Sequence, residues 1–123
     1  MYSKKVIEQF TNPLNVGTIE NADGIGEVGS TVDGDIITIY LKVDNGVLSE
    51  VKFKTFGCVV AISTSTIVTQ LAKGKTIEEA QKITNDDVLN ALDGLPEGKD
   101  RCSRFALDAL NKAIDNYIEF KKD

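Results

Sequence analysis

This chain of 123 residues carries two cysteines, Cys58 and Cys102, and no histidine. Cys58 closes the run Phe53-Lys54-Thr55-Phe56-Gly57-Cys58, which ends an alternating apolar stretch where a helix is due to begin. Cys102 falls in the first turn of the last helical stretch. A helix N-terminus favours the thiolate, the form that binds soft metals and attacks sulfur. Two thiols at two helix starts therefore point to metal or sulfur chemistry. Blander uses stand beside it: Cys58 as a small buried hydrophobe, and Cys102 as part of an apolar helix stripe. A disulfide between them requires the two helix starts to meet in space, and ranks below metal or sulfur chemistry. The lack of histidine excludes imidazole as base, nucleophile or ligand. No Cys-x-x-Cys pair supports thiol redox catalysis.

Other groups could share such a site. Asp33 and Asp35 flank Gly34, a combination that serves a tight turn or a pair of ligands. Arg101 directly precedes Cys102. A cation at a helix N-terminus is mildly unfavourable, so an acidic partner is expected for it. Lys99 is either solvated or placed to balance thiolate charge. The run Ser63-Thr64-Ser65-Thr66 has no glycine-rich phosphate loop before it and no histidine base. Small hydroxyl residues that let a helix approach a sheet closely explain it better.

The elements that must position these groups are legible in outline. Tyr2 to Phe10 reads as a short helix with Val6, Ile7 and Phe10 on one face, stopped by Asn12-Pro13. Residues 11–23 read as loop. Gly24 to Ser30, Asp35 to Val43 and Val47 to Thr55 read as strands, the last two joined by the turn Asp44-Asn45-Gly46. Residues 59–73 read as a helix ending at Gly74. Thr76 to Glu79 is a capping box opening a second helix, and Asn85-Asp86-Asp87 opens a third that ends near Gly94. Asp100 is placed to cap a last helix over 101–121. Its apolar stripe is Cys102, Phe105, Ala106, Ala109, Leu110, Ala113, Ile114 and Tyr117. Strands first and helices after give a single α+β domain over residues 1–123. It should have a small antiparallel three-stranded sheet with helices packed on one face.

Composition narrows the partners. The formal net charge is -5 and no basic cluster appears, so a nucleic acid is not an expected partner. No apolar run is long enough to span a bilayer, and the N-terminus lacks a signal-peptide core. A cytoplasmic setting is expected, where a structural disulfide is unusual.

The whole pattern resembles the NifU-like, IscU-type scaffold proteins of iron–sulfur cluster assembly. The resemblance runs end to end. It is carried by Tyr2-Ser3-Lys4-Lys5-Val6-Ile7, Asn12-Pro13-Leu14-Asn15-Val16-Gly17, Gly34-Asp35, Phe53-Lys54-Thr55-Phe56-Gly57-Cys58 and Cys102-Ser103. The long insertion of the SufU branch is missing. In that family three cysteines, with a histidine or an aspartate, surround the cluster. The resemblance maps two of those cysteines to Cys58 and Cys102 and the aspartate to Asp35. The remaining cysteine has become Asp33, and the histidine Arg101. Lys99 matches a lysine that the family places near the site.

The resemblance implies a scaffold or carrier, not a turnover enzyme. It would take sulfur as a persulfide from a cysteine desulfurase, with Cys102 as acceptor. It would bind iron or a transient 2Fe–2S cluster near Cys58, Cys102, Asp33 and Asp35, and hand it to recipient apoproteins. Zn²⁺ is a candidate for the resting site. The departures favour a second reading, in which a divergent member acts as persulfide acceptor, zinc-binding protein or desulfurase partner without building clusters. Carboxylate is a harder donor than thiolate, so Asp33 should weaken or shift a cluster. Charged arginine cannot ligate. An Asp33–Arg101 ion pair is expected to fill those two positions. Truncating one partner of such a buried pair costs about 3–5 kcal/mol. Val59-Val60 replaces the family's small residues after Cys58 and should crowd a cluster. The family's Leu-Pro-Pro-Val-Lys motif reads Leu95-Pro96-Glu97-Gly98-Lys99, which argues against delivery through an Hsp70-type chaperone.

Overall fold

Alternating β-branched and aromatic residues form the expected sheet. The computed structural model describes residues 3–11, 15–29, 36–56, 59–94 and 100–121, excepting the side chains of 59–60, 100–103 and 120–121. Its elements are α1 (Lys4–Thr11), β1 (Gly24–Gly29), β2 (Ile36–Asp44), β3 (Val47–Phe56), α2 (Val59–Ala72), α3 (Ile77–Gln81), α4 (Asn85–Ala91) and α5 (Asp100–Lys121). The strands lie in the order β1-β2-β3, each pair antiparallel. Asn45 (φ 54°) and Gly46 (φ 78°) make the tight β2–β3 turn, as Asn-Gly chemistry requires.

One detail of β3 escapes simple alternation. Lys42 pairs with Glu50, but Val43 pairs with Leu48, so Ser49 is an extra residue in the ladder. This bulge lets Leu48, Val51 and Phe53 all point into the core, although their spacing is not a strict period of two. They meet Ile37, Ile39 and Leu41 of β2, and Ile67, Val68, Leu110 and Ile114 of the helices. The outer edge of β3 is covered by two short segments. Phe53 donates to Asn15 (2.9 Å) and accepts from Gly17 (2.8 Å), while Leu48 donates to Lys75 (2.8 Å) and accepts from Gly74 (2.8 Å). Its edge is thereby closed to other strands.

α2 packs on β3 and α5 on β1 and β2. Ser63, Thr64, Ser65, Thr66 and Thr69 of α2 are fully buried. Most satisfy their hydroxyls locally: Thr66 donates to the Ile62 carbonyl and Thr69 to the Thr66 carbonyl (both 2.8 Å), while Ser63 donates to the Val6 carbonyl of α1 (2.8 Å). Ser65 Oγ has no partner, alone among the described buried side-chain oxygens and nitrogens. Leaving a buried hydroxyl unmet costs free energy, so Ser65→Ala should stabilise the fold by about 1 kcal/mol, read from urea denaturation.

The ends of the helices follow their caps, with small departures. Ser3 caps α1 by accepting from the Val6 amide (3.1 Å) and also donates to the Leu92 carbonyl after α4. Val6 is buried, whereas Ile7 and Phe10 on the same face are 43% and 37% exposed. α1 packs chiefly on α2. Thr76 and Glu79 form the expected capping box. The box of α4 is Thr84 with Asp87, so the cap falls one residue before Asn85. α5 begins at Asp100 itself, which puts this acid inside the first turn, where the helix dipole favours it. Leu107 joins the α5 stripe because this helix packs on the sheet and on α2 and α4 together.

The Thr76 backbone N–H and hydroxyl hold the Glu79 carboxyl below its usual range. A carboxylate with a lowered folded-state pKa stabilises the fold above its unfolded value, near 4.5, and loses that contribution as pH falls through the folded value. The stability gap between the unmodified chain and Glu79→Ala should therefore be constant from neutral pH down to about pH 5 and close below it.

Candidate functional site

Several elements begin or end together. Gly29 pairs with Ile36, and Ile36 pairs with Phe56, so β1 ends, β2 begins and β3 ends at one end of the sheet. Only two residues separate Phe56 from Val59, the first helical residue of α2. The approach of α5 to β1 completes this arrangement. Gly24 lies against Ala113 and Gly26 against Ala109, so the helix runs opposite to the strand. Cys102 is seven residues before Ala109, about 10 Å along a helix axis. Gly29 is three residues past Gly26, about 10 Å along a strand. The start of α5 is thus level with the end of β1.

Sequence fixes which candidate residues attach to these ends. The connection of residues 30–35 between β1 and β2 contains Asp33 and Asp35. The two-residue connection between β3 and α2 contains Cys58. Lys99 immediately precedes α5, and Arg101 and Cys102 are its second and third residues. Asp33, Asp35, Cys58 and Lys99 lie outside the described residues, as do the side chains of Arg101 and Cys102. The expected Asp33–Arg101 pair and the crowding by Val59-Val60 likewise lie outside them. The described structure supplies the framework: three chain segments bearing candidate groups are tied to element ends that share one end of the sheet.

Comparison with known proteins gives the family and the fold. The NifU-like N terminal domain family matches residues 1–123. The chain belongs to that family. It is 57% identical over 118 residues to the iron-sulfur cluster assembly scaffold protein IscU 1 of Archaeoglobus fulgidus, covering 96% of this chain and 77% of the relative. It is 44% identical over 120 residues to the scaffold protein IscU of Escherichia coli, covering 94% and 93%. A NifU-like protein (N-terminal) from Brucella abortus has the same fold, with a TM-score of 0.75 at 20% identity over 95% of this chain and 94% of the other.

Two features of this NifU-like domain go beyond the sequence reading: the exposure of Phe56 and the close approach at Gly24 and Gly26. Phe56 is 79% exposed and faces Ile36, 42% exposed, across the β2–β3 ladder beside the candidate site. Alternation does place both on the face opposite the buried Ile37 and Phe53, but it cannot show that no described helix covers that face. Gly24 and Gly26 are the second feature. Two glycines at a spacing of two in a strand are the signal that something approaches the backbone closely.

Proposed function

We propose that the protein is a scaffold and carrier for iron–sulfur cluster assembly rather than a turnover enzyme. The observation that carries this reading is 44–57% identity to proteins named as such scaffolds, over 94–96% of the chain. The common end of β1, β3, α2 and α5 supports it. A site drawing on those segments would combine Cys58, Cys102, Asp33 and Asp35, two soft donors and two hard ones.

In this reading sulfur arrives as a persulfide from a cysteine desulfurase. The Cys102 thiolate attacks the terminal sulfur, forming a new S–S bond. The desulfurase cysteine leaves as thiolate. Reducing that sulfur to sulfide takes two electrons per atom from an external reductant. Iron would then be held by that sulfide and the protein donors, and the cluster, of 2Fe–2S type, would be cargo for recipient apoproteins. Lys99 balances negative charge beside the thiolate. Among the described residues no helix is long and apolar enough to cross a membrane.

One observation favours a second reading. With Asp33 and Arg101 at the positions of the family cysteine and histidine, and no other cysteine in the chain, nothing replaces the missing thiolate. An Asp33–Arg101 pair would then leave Cys102 as a persulfide acceptor and Zn²⁺ as the only metal held. Anaerobic incubation with ferrous iron, a cysteine desulfurase, cysteine and a thiol reductant separates the two. The scaffold reading expects iron and sulfide in equal amounts and a Mössbauer signature of a cluster, lost in Cys58→Ala and in Cys102→Ala. Persulfide on Cys102 with no protein-bound iron would replace it by the second reading.

A further inference from the structure

Gly24 and Gly26 are buried on the face of β1 that meets α5. A Cβ on Gly26 would overlap the Ala109 carbonyl oxygen and the Ala113 amide nitrogen, with the Lys112 carbonyl carbon at 2.9 Å. A Cβ on Gly24 would overlap the Ala113 carbonyl oxygen and come within 3.1 Å of Tyr117 Cβ. Most of the obstructing atoms are helix backbone, which cannot swing aside as a side chain can. Between the two glycines the Ile25 N–H donates to Asn116 Oδ1 (3.0 Å), which fixes the helix along the strand as well as above it.

We infer that Gly26 is a positioning residue: its bare Cα sets the separation of β1 and α5, and with it the place of the α5 start, where Cys102 lies, relative to the end of β1. The inference rests on Cys102 belonging to the proposed iron and sulfur site. The magnitudes support it. Non-bonded heavy atoms settle near 3.5 Å, so relieving the Gly26 overlap moves α5 by on the order of 1 Å. Metal–ligand distances tolerate about 0.2 Å. An ångström of misplacement at a reacting centre costs on the order of 10²-fold. The helix start lies only two turns from the contact, so little of that displacement is absorbed on the way. Gly26 therefore acts on the site from about 10 Å away, through a rigid helix.

The experiment compares Gly26→Ala with Glu27→Ala, a neighbour on the opposite, exposed face of β1. Iodoacetamide alkylation is timed separately for each thiol, using Cys58→Ser and Cys102→Ser backgrounds, under conditions where circular dichroism shows each variant folded. The expected result is a change of at least threefold in the Cys102 rate with Gly26→Ala, and a Cys58 rate within twofold of its starting value. Iron retained after reconstitution should fall at least tenfold in the full chain carrying Gly26→Ala, and Glu27→Ala should change neither. Should Gly26→Ala fail to fold, Ala109→Ser adds a single atom to the fully buried helix residue whose carbonyl meets Gly26 and is read in the same way. Unchanged Cys102 alkylation in a folded variant would overturn the inference, as would loss of folding in both variants, which would make the contact purely structural. If the unmodified chain binds no iron, the proposed function fails while the alkylation comparison still decides the role of Gly26.

Discussion

Asp33→Cys combined with Arg101→His should lengthen the lifetime of a reconstituted cluster by about tenfold or more, on the scale by which changes around a metal shift its affinity. The argument is one of donor chemistry. A third thiolate replaces a harder carboxylate, and a neutral imidazole replaces a guanidinium that cannot ligate. The two changes belong together, because either alone would strand one member of the proposed Asp33–Arg101 pair. Arg101→His by itself should therefore gain little. Cluster loss followed by its visible absorption, with an apo-acceptor present, measures the lifetime. An unchanged lifetime in the double variant would move the limitation to Val59-Val60 or to the backbone of the connection itself.

Phe53→Ala should destabilise the fold by about 3–5 kcal/mol, measured by urea denaturation. Phe53 is 1% exposed and is the largest of the fully buried side chains. Its backbone is also held on the outer edge by Asn15 and Gly17, so the strand cannot easily collapse into the space left behind. The site should respond as well. Phe53 anchors the part of β3 that runs into Phe56 and the connection holding Cys58, five residues on. A folded Phe53→Val variant, which keeps more of the volume, should retain iron better than Phe53→Ala. Equal retention by both would separate core packing from the site.

Two departures in α1 and β3 show where sequence periodicity runs out. The stripe Val6, Ile7 and Phe10 marks a helix correctly, yet periodicity cannot say how much of a stripe is covered, and of the three only Val6 is fully buried. Alternation marks β3 correctly, yet the bulge at Ser49 arises from pairing with β2 and reverses which residues face inward at its start. The hydroxyl run of α2, by contrast, follows from residue size: small side chains suit a helix that lies on a sheet, and these are fully buried in the helix that packs on β3.

The sequence by itself determined the element order, the β2–β3 turn, the capping box at Thr76 and the family pattern around Cys58 and Cys102. These depend on neighbours a few residues apart, through backbone preference, local hydrogen bonds and side-chain periodicity. It also fixed the donor chemistry, because residue type alone decides that Asp33 is a hard ligand and Arg101 none. Only the tertiary structure decided that β1, β3, α2 and α5 share one end, and that α5 lies directly on Gly24 and Gly26. The second of those facts joins residues more than eighty positions apart. Both come from the sheet twist and helix packing that let backbone meet backbone where no side chain stands between, which no local pattern encodes.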